Sequence, residues 1–286
     1  DATIIDGSQN GSVASFTNGE TLEAIISNVT LQNGYSGYGA GINIQNSSPT
    51  IENCNIINNS ALVFPHYGGG VYTLNSNSQI RNCLIANNIA QNYGGGIMLD
   101  SDSNILIEFS TIADNSQTGD CFPQESCGAG INVSAGSIVV IENSILWDNI
   151  GQVDFGPYTD PIGITDANNV TISYSDLDID VGGLGVISVD PQFNDDYTLL
   201  LSSPCIDAGN PDSPLDSDGT RADMGAYPFS HASGCLDPLA DNYNEDATLD
   251  DASCFGSPVI NADFTYAGEF EEKLYYLVHG DNFWYQ

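Results

Sequence analysis

The stretch "HYGGGVYTLNSNSQIRNCLIANNIA" (66–90) repeats a phrase already present at 37–61, "GYGAGINIQNSSPTIENCNIINNSA", and present again at 92–116, "NYGGGIMLDSDSNILIEFSTIADNS". Each copy is a Gly-rich knot, a short apolar run and an Asn-rich turn. Aligned copies form columns. Gly41, Gly70, Gly96 and Gly130 share one position, at steps of 29, 26 and 34, and Ile42, Val71, Ile97 and Ile131 follow them. Tyr38, Tyr67, Tyr93 and Cys127 stand three places before. A further column holds Ile26, Ile51, Ile80, Ile107, Ile141 and Ile172. Five residues beyond it lie Leu31, Ile56, Ile85, Ile112, Leu146 and Leu177, and then the polar column Asn33, Asn58, Asn87, Asp114 and Asp148.

A period of this size marks a solenoid, in which no repeat buries its apolar face alone. The apolar segments are short, rich in β-branched residues and punctuated by Gly, Asn and Ser, so they read as strands. Strands that return in register once per repeat are parallel, and the chain coils into a β-helix of about six coils with rungs about 4.8 Å apart. The Asn column is expected to bond along the stack through its amides. The Gly column is expected where a corner needs positive φ.

These residues resemble the right-handed parallel β-helix repeat family over roughly 1–229. Within that span, "SPCIDAG" and "DGTRADMGAY" (in 190–229) resemble the family's closing segment, which implies a cap over the open edge of the last rung. Next, "GCLDPLADNYNEDATLDDASC" (234–254) resembles a Cys-bounded module of large secreted proteins of marine bacteria, with Cys235 and Cys254 paired. Last, "FTYAGEFEEKLYYLVHGDNFWYQ" (264–286) resembles the first strand and first-helix start of a C-type lectin-like domain, or is a plain amphipathic hairpin. The expected fold is all-β: a β-helix with a C-terminal cap (1–229), an acidic disulfide-stapled connector (230–256) and an incomplete lectin-like segment (257–286). The chain opens at "DATIIDG" inside a strand-like pattern and ends without a stop signal, so it reads as a piece of a longer protein.

Asp and Glu number 38 against 3 Lys and Arg, a formal net charge of -35. Such a potential repels nucleic acid and anionic membranes and draws divalent cations. No apolar run approaches a membrane span. Two acidic clusters are candidate Ca²⁺ sites: Asp212, Asp216, Asp218 and Asp223 around Arg221, and Asp237, Asn244, Asp246, Asp250 and Asp251 in the Cys-bounded module. The alternative readings are a turn with an ion pair for the first and a solvated turn for the second. Of seven cysteines, Cys54 and Cys83 share a column with Ser110, Ser144 and Ser175 and read as stacked thiols. Cys121 and Cys127 are expected to close the inserted loop between them, and Cys205 is expected to be buried. Two disulfides suit an oxidising, extracellular setting.

Parallel β-helices also host pectate lyases and polygalacturonases. A lyase needs a basic residue beside bound Ca²⁺, and Arg81 falls in the column Glu52, Arg81, Glu108, Glu142 as an ion-pair member. The clustered carboxylates and His of polygalacturonase-type hydrolysis are absent as a set. The sequence reading is therefore a non-enzymatic structural or adhesive module of a large secreted surface protein, with surface glycans or neighbouring copies as partners. Its alternative is a polysaccharide-binding or polysaccharide-degrading β-helix.

Overall fold

Short β-branched segments with one inward and one outward face become stable only by stacking on copies of themselves. In the computed structural model, which describes residues 3–119, 127–153, 156–159, 161–164, 169–256, 263–270 and 273–279, they do so on four sides. Going round one turn, sheet 1 stacks Ala14–Phe16, Ile42–Gln45, Val71–Leu74, Ile97–Asp100, Ile131–Val133 and Ile162–Ile164. Sheet 2 stacks Ile25–Ser27, Thr50–Glu52, Gln79–Arg81, Asn104–Glu108, Ile138–Glu142 and Val170–Ser173. Sheet 3 stacks Thr3–Asp6, Val29–Gln32, Asn55–Ile57, Leu84–Ala86, Thr111–Ala113, Ile145–Trp147 and Asp176–Leu177. Sheet 4 is shorter-stranded: Ser60–Ala61, Ile89–Ala90, Ser116–Gln117, Ile150–Val153 and Gly156–Thr159. Neighbours are parallel throughout except the last pair of sheet 4.

The apolar columns fall in register as the sequence orders them. Ile26, Ile51, Ile80, Ile107, Ile141 and Ile172 are successive Cα partners, as are Leu31, Ile56, Ile85, Ile112, Leu146 and Leu177. Six members enclose about five turns, one fewer than the coils expected. Nearly all of these side chains are buried in one continuous core.

The polar columns sit differently from expectation. Asn33, Asn58, Asn87, Asp114 and Asp148 are the corner residues themselves, with φ between 53° and 57°. The stacked amides are one residue later. The Asn59 N–H and Nδ2 both donate to Asn88 Oδ1 at 3.0 Å, and Asn88 repeats this on Asn115. Asn115 does the same to Asn149 at 3.1 and 3.0 Å. The second amide hydrogen of each goes to a carbonyl of the preceding rung: Leu31, Ile56, Ile85 and Ile112. All four side chains are buried, and this pairing is what permits polar groups there.

The ladder also explains the Gly column. Gly41, Gly70, Gly96 and Gly130 do not have positive φ; Gly39, Gly68, Gly94 and Gly128, two residues earlier, do. At Gly70 a Cβ would lie 2.6 Å from the Gly96 carbonyl oxygen and 3.1 Å from Asn88 Nδ2. The column is glycine because a neighbouring rung and the amide ladder occupy the space. Between sheets 2 and 3 a second ladder runs through Cys83, Ser110, Ser144 and Ser175, each backbone N–H donating to the next hydroxyl at 3.2 Å. Cys54 and Cys83 are unbonded and buried, as stacked thiols should be.

The segment expected to cap the last rung does something else. The edge of sheet 3 is met earlier, where Ile187 bridges Asp176 and exchanges backbone bonds with Ser175 and Leu177. Residues 190–229 then run back along the outside of sheet 3. Leu199, Cys205 and Met224 pack on Ile145, and Ala226 packs on Leu84 and Ala86. The Gly225 N–H reaches the Asn143 carbonyl, the Ala226 N–H reaches Thr111 Oγ1, and the Tyr227 hydroxyl reaches Asn55 Oδ1 at 2.7 Å. The reason is the outward face itself: Leu84, Ala86, Ala113 and Ile145 are apolar and must be covered.

The chain divides into two compact units, Asp1–Phe229 and Ser230–Gln286. In the second, Ser233–Gly234 pairs with Leu249–Asp250, and Cys235 is bonded to Cys254 as the module resemblance implied. Asp263–Phe270 and Lys273–His279 form an antiparallel hairpin, where the lectin-like resemblance implied a helix start. The run "KLYYLVH" is rich in strand formers. Cys121, and with it the expected Cys121–Cys127 bond, lies outside the described residues.

Two substitutions test this packing by urea unfolding. Ile85→Asp places an unpaired carboxylate in the stack and is expected to cost about 4 kcal/mol or more, or to prevent folding. Gly70→Ala is expected to cost more than about 2 kcal/mol, because backbone on the next rung must move. A parental midpoint for either contradicts the register.

Candidate functional site

Function on a solenoid lies on its outward faces, and each face presents a different column of the repeat. On sheet 2 the outward column Glu52, Arg81, Glu108, Glu142 forms as expected, with Arg81 Nε 2.8 Å from Glu108 Oε2. Arg221 is held by carbonyls, donating to Gly209 at 2.6 Å and Ala208 at 3.1 Å, with its guanidinium 6.0 Å from the Tyr174 ring centre.

The first acidic cluster lies on residues 190–229, the strap over the outside of sheet 3. Asp212 follows a turn in which its N–H meets Asn210 Oδ1. Asp216 accepts from the Asp223 N–H at 3.0 Å, and Asp218 accepts from the N–H and hydroxyl of Thr220. Asp223 is buried and accepts from the N–H groups of Asp207 and Phe229. In the module, Asp237, Asn244, Asp250 and Asp251 accept from backbone N–H groups two residues ahead, and Asp246 supplies the N–H for Asn244. These are turn bonds of the Asx kind. Among the described residues no group of three or more His, Cys, Asp or Glu side chains is arranged to hold a metal ion.

The structure adds a carboxylate group that periodicity did not single out. Asp176, outward on the last strand of sheet 3, is buried, with the Cys205 thiol donating to its Oδ2 and the Val189 N–H to its Oδ1, both at 3.2 Å. Burial pushes its carboxyl up to about 6. Asp178 and Asp223 are pushed to about 6 for the same reason. Asp148, a corner residue, is also raised by burial and by its neighbours Asp114 and Asp190. The signal available in the sequence was weak: "SDLDID" (175–180) looks like any polar turn.

The remaining feature is aromatic. Tyr38, Tyr67 and Tyr93 bridge one another on successive rungs at the corner between sheets 4 and 1. Ring centres lie 6.1 Å apart for the first pair and 5.5 Å for the second. Tyr72, outward on sheet 1, stands 4.8 Å from the Tyr38 ring and donates its hydroxyl to Asp100 Oδ2 at 2.8 Å.

Parallel strands, four sides and laddered corners describe an architecture already known in other proteins. The family described as "Right handed beta helix region" matches residues 10–188. The chain belongs to this family. Among curated proteins none matches the right-handed β-helix sequence described here. A solved structure, titled "Crystal structure of pectate lyase Pel9A", matches at 14% identity and a TM-score of 0.34, over 77% of this chain and 66% of that one. The expectation of a non-enzyme is corrected at this point: the matching structure is a pectate lyase, so the exclusion of enzymes is withdrawn. The likeness brings no activity and no residue role to this β-helix.

The buried carboxylates give a pH prediction. Their folded values lie above the ordinary carboxylate value of 3.8. Between pH 4 and 6 the folded state therefore keeps protons that the unfolded chain has lost, and stability falls as pH rises. The melting temperature is expected to drop across that window, and Asp176→Asn should flatten the drop. An unchanged slope in Asp176→Asn contradicts the assignment.

Proposed function

We propose that the β-helix is a stiff structural module of a secreted, cell-surface protein, a spacer or fibre segment with surface glycans or neighbouring copies as partners. The observation that carries this reading is the continuous buried ladder Asn59–Asn88–Asn115–Asn149, in which each rung is tied to the next by side chain as well as backbone. Rungs joined in this way resist opening singly, because opening one leaves buried amides of two others without partners. The strap adds bonds from residues 197–227 to Asn55, Asn87, Thr111, Asp114 and Asn143. The Cys235–Cys254 bond suits an oxidising exterior. A stiff body is compatible with chemistry on one of its faces.

Native-state hydrogen exchange tests the reading. Backbone amides of Ile56, Ile85 and Ile112 are expected to exchange only through an opening close in free energy to global unfolding. Separate, low-cost opening of single rungs contradicts a stiff spacer.

A further inference from the structure

We propose that the tyrosine strip at the corner between sheets 4 and 1 binds an uncharged polysaccharide chain laid along the helix axis. Three observations meet there. First, the strip is periodic: Tyr38, Tyr67 and Tyr93 recur once per rung, at the strand spacing of about 4.8 Å. A ligand that makes the same contact at each step must itself repeat, and a sugar chain does.

Second, the surface is both apolar and polar in the manner that sugars need. Tyr38 is 38% exposed, and Tyr67 and Tyr93 are half-buried, so each side chain of the strip reaches solvent in part. The insertion "LVFPH" (62–66) stands beside them, with Phe64 84% exposed and Leu62 and Val63 also exposed. It abuts the strip: a Cβ on Gly37, next to Tyr38, would lie 2.5 Å from the Phe64 carbonyl oxygen, and the Asn92 amide, next to Tyr93, donates to the Pro65 carbonyl at 2.8 Å. Aromatic faces take the C–H faces of pyranose rings, while Asp100 and the amides of Asn43 and Gln45, outward on the same sheet, offer partners for hydroxyls. Asp100 is fixed by Tyr72, and Gln45 Nε2 donates to Asn43 Oδ1 at 3.0 Å, so these groups are already oriented.

Third, the charge selects the class. The chain carries a formal charge of -35, Arg81 on sheet 2 is paired with Glu108, and Arg221 is held by strap carbonyls. Uronate or sulfated chains meet repulsion, and neither of these two arginines stands free to receive them. A neutral glycan does not. The proposal rests on the glycan partner named in the proposed function but not on stiffness, so glycan binding can fail while the hydrogen-exchange test of stiffness succeeds.

Affinity electrophoresis of the full chain tests it, with hydroxyethyl cellulose, galactomannan and laminarin as neutral polymers and polygalacturonate as the charged one. Retardation is expected in at least one neutral gel and not in polygalacturonate. Tyr38→Ala and Tyr93→Ala should each weaken it about tenfold or more, while Tyr243→Ala, an exposed tyrosine of the second unit, should leave it unchanged. Phe64→Ala, at a side chain standing in solvent, keeps the test valid if a tyrosine variant fails to fold. Retardation only in polygalacturonate, none in any neutral polymer, or retardation indifferent to the Tyr38, Tyr93 and Phe64 changes overturns the proposal. So does self-association that Phe64→Ala dissolves without any glycan effect.

Discussion

The buried asparagine ladder is the constraint on which the rest of the β-helix depends. A primary amide inside an apolar column is tolerable only if both hydrogens and the oxygen are used, and Asn88 uses all of them, on Asn115, on Ile56 and from Asn59. That requirement fixes rung spacing and register at once, since a one-residue slip would bring Asn87 or Ile89 to the ladder position. It also fixes composition elsewhere. Gly70 has no room for a side chain because Asn88 and the next rung stand where Cβ would go. The glycine and asparagine of each repeat are therefore one packing solution, and the preceding corner residue, in the left-handed region, turns the chain so that the amide points inward.

With the interior settled, the outward faces divide the labour. Sheet 3 is apolar outside, and the strap covers it, burying Asp176 and Asp223 as it passes. Those carboxylates are held by backbone N–H groups and by a thiol, which offsets part of the cost of burial but not all of it, as their raised values show. Sheet 2 carries the charged column, and the corner before sheet 1 carries the tyrosines. A solenoid of this kind offers long, periodic surfaces, and the chemistry of each surface is set by one column of the repeat.

The two isoleucine-bearing columns were legible from spacing alone, because inward positions repeat at a fixed step and tolerate only apolar side chains. The reasons for the Gly and Asn columns were not. Adjacent asparagines such as Asn58 and Asn59 look alike in sequence, although one supplies a backbone conformation and the other a buried amide. The strap was read as an end cap because its partners, such as Asn55 for Tyr227, lie 172 residues away and follow no period. The tyrosine column was visible as a column, but its neighbours Tyr72 and Asp100 join it only through sheet register. The acidic clusters suggested calcium by composition, and in the structure several of those oxygens accept from N–H groups of their own turns.

The most direct test of the central claim compares the two residues of one such pair by urea unfolding. Asn58 is an exposed corner residue with φ of 56°, and Asn59 is fully buried in the ladder. Asn58→Gly keeps the corner conformation and is expected to change stability by no more than about 0.5 kcal/mol. Asn59→Ala strips partners from Gly34, Leu31 and Asn88 and is expected to cost about 3 kcal/mol or more. Equal effects, or a larger loss at Asn58, would contradict the ladder as the element that holds the rungs together.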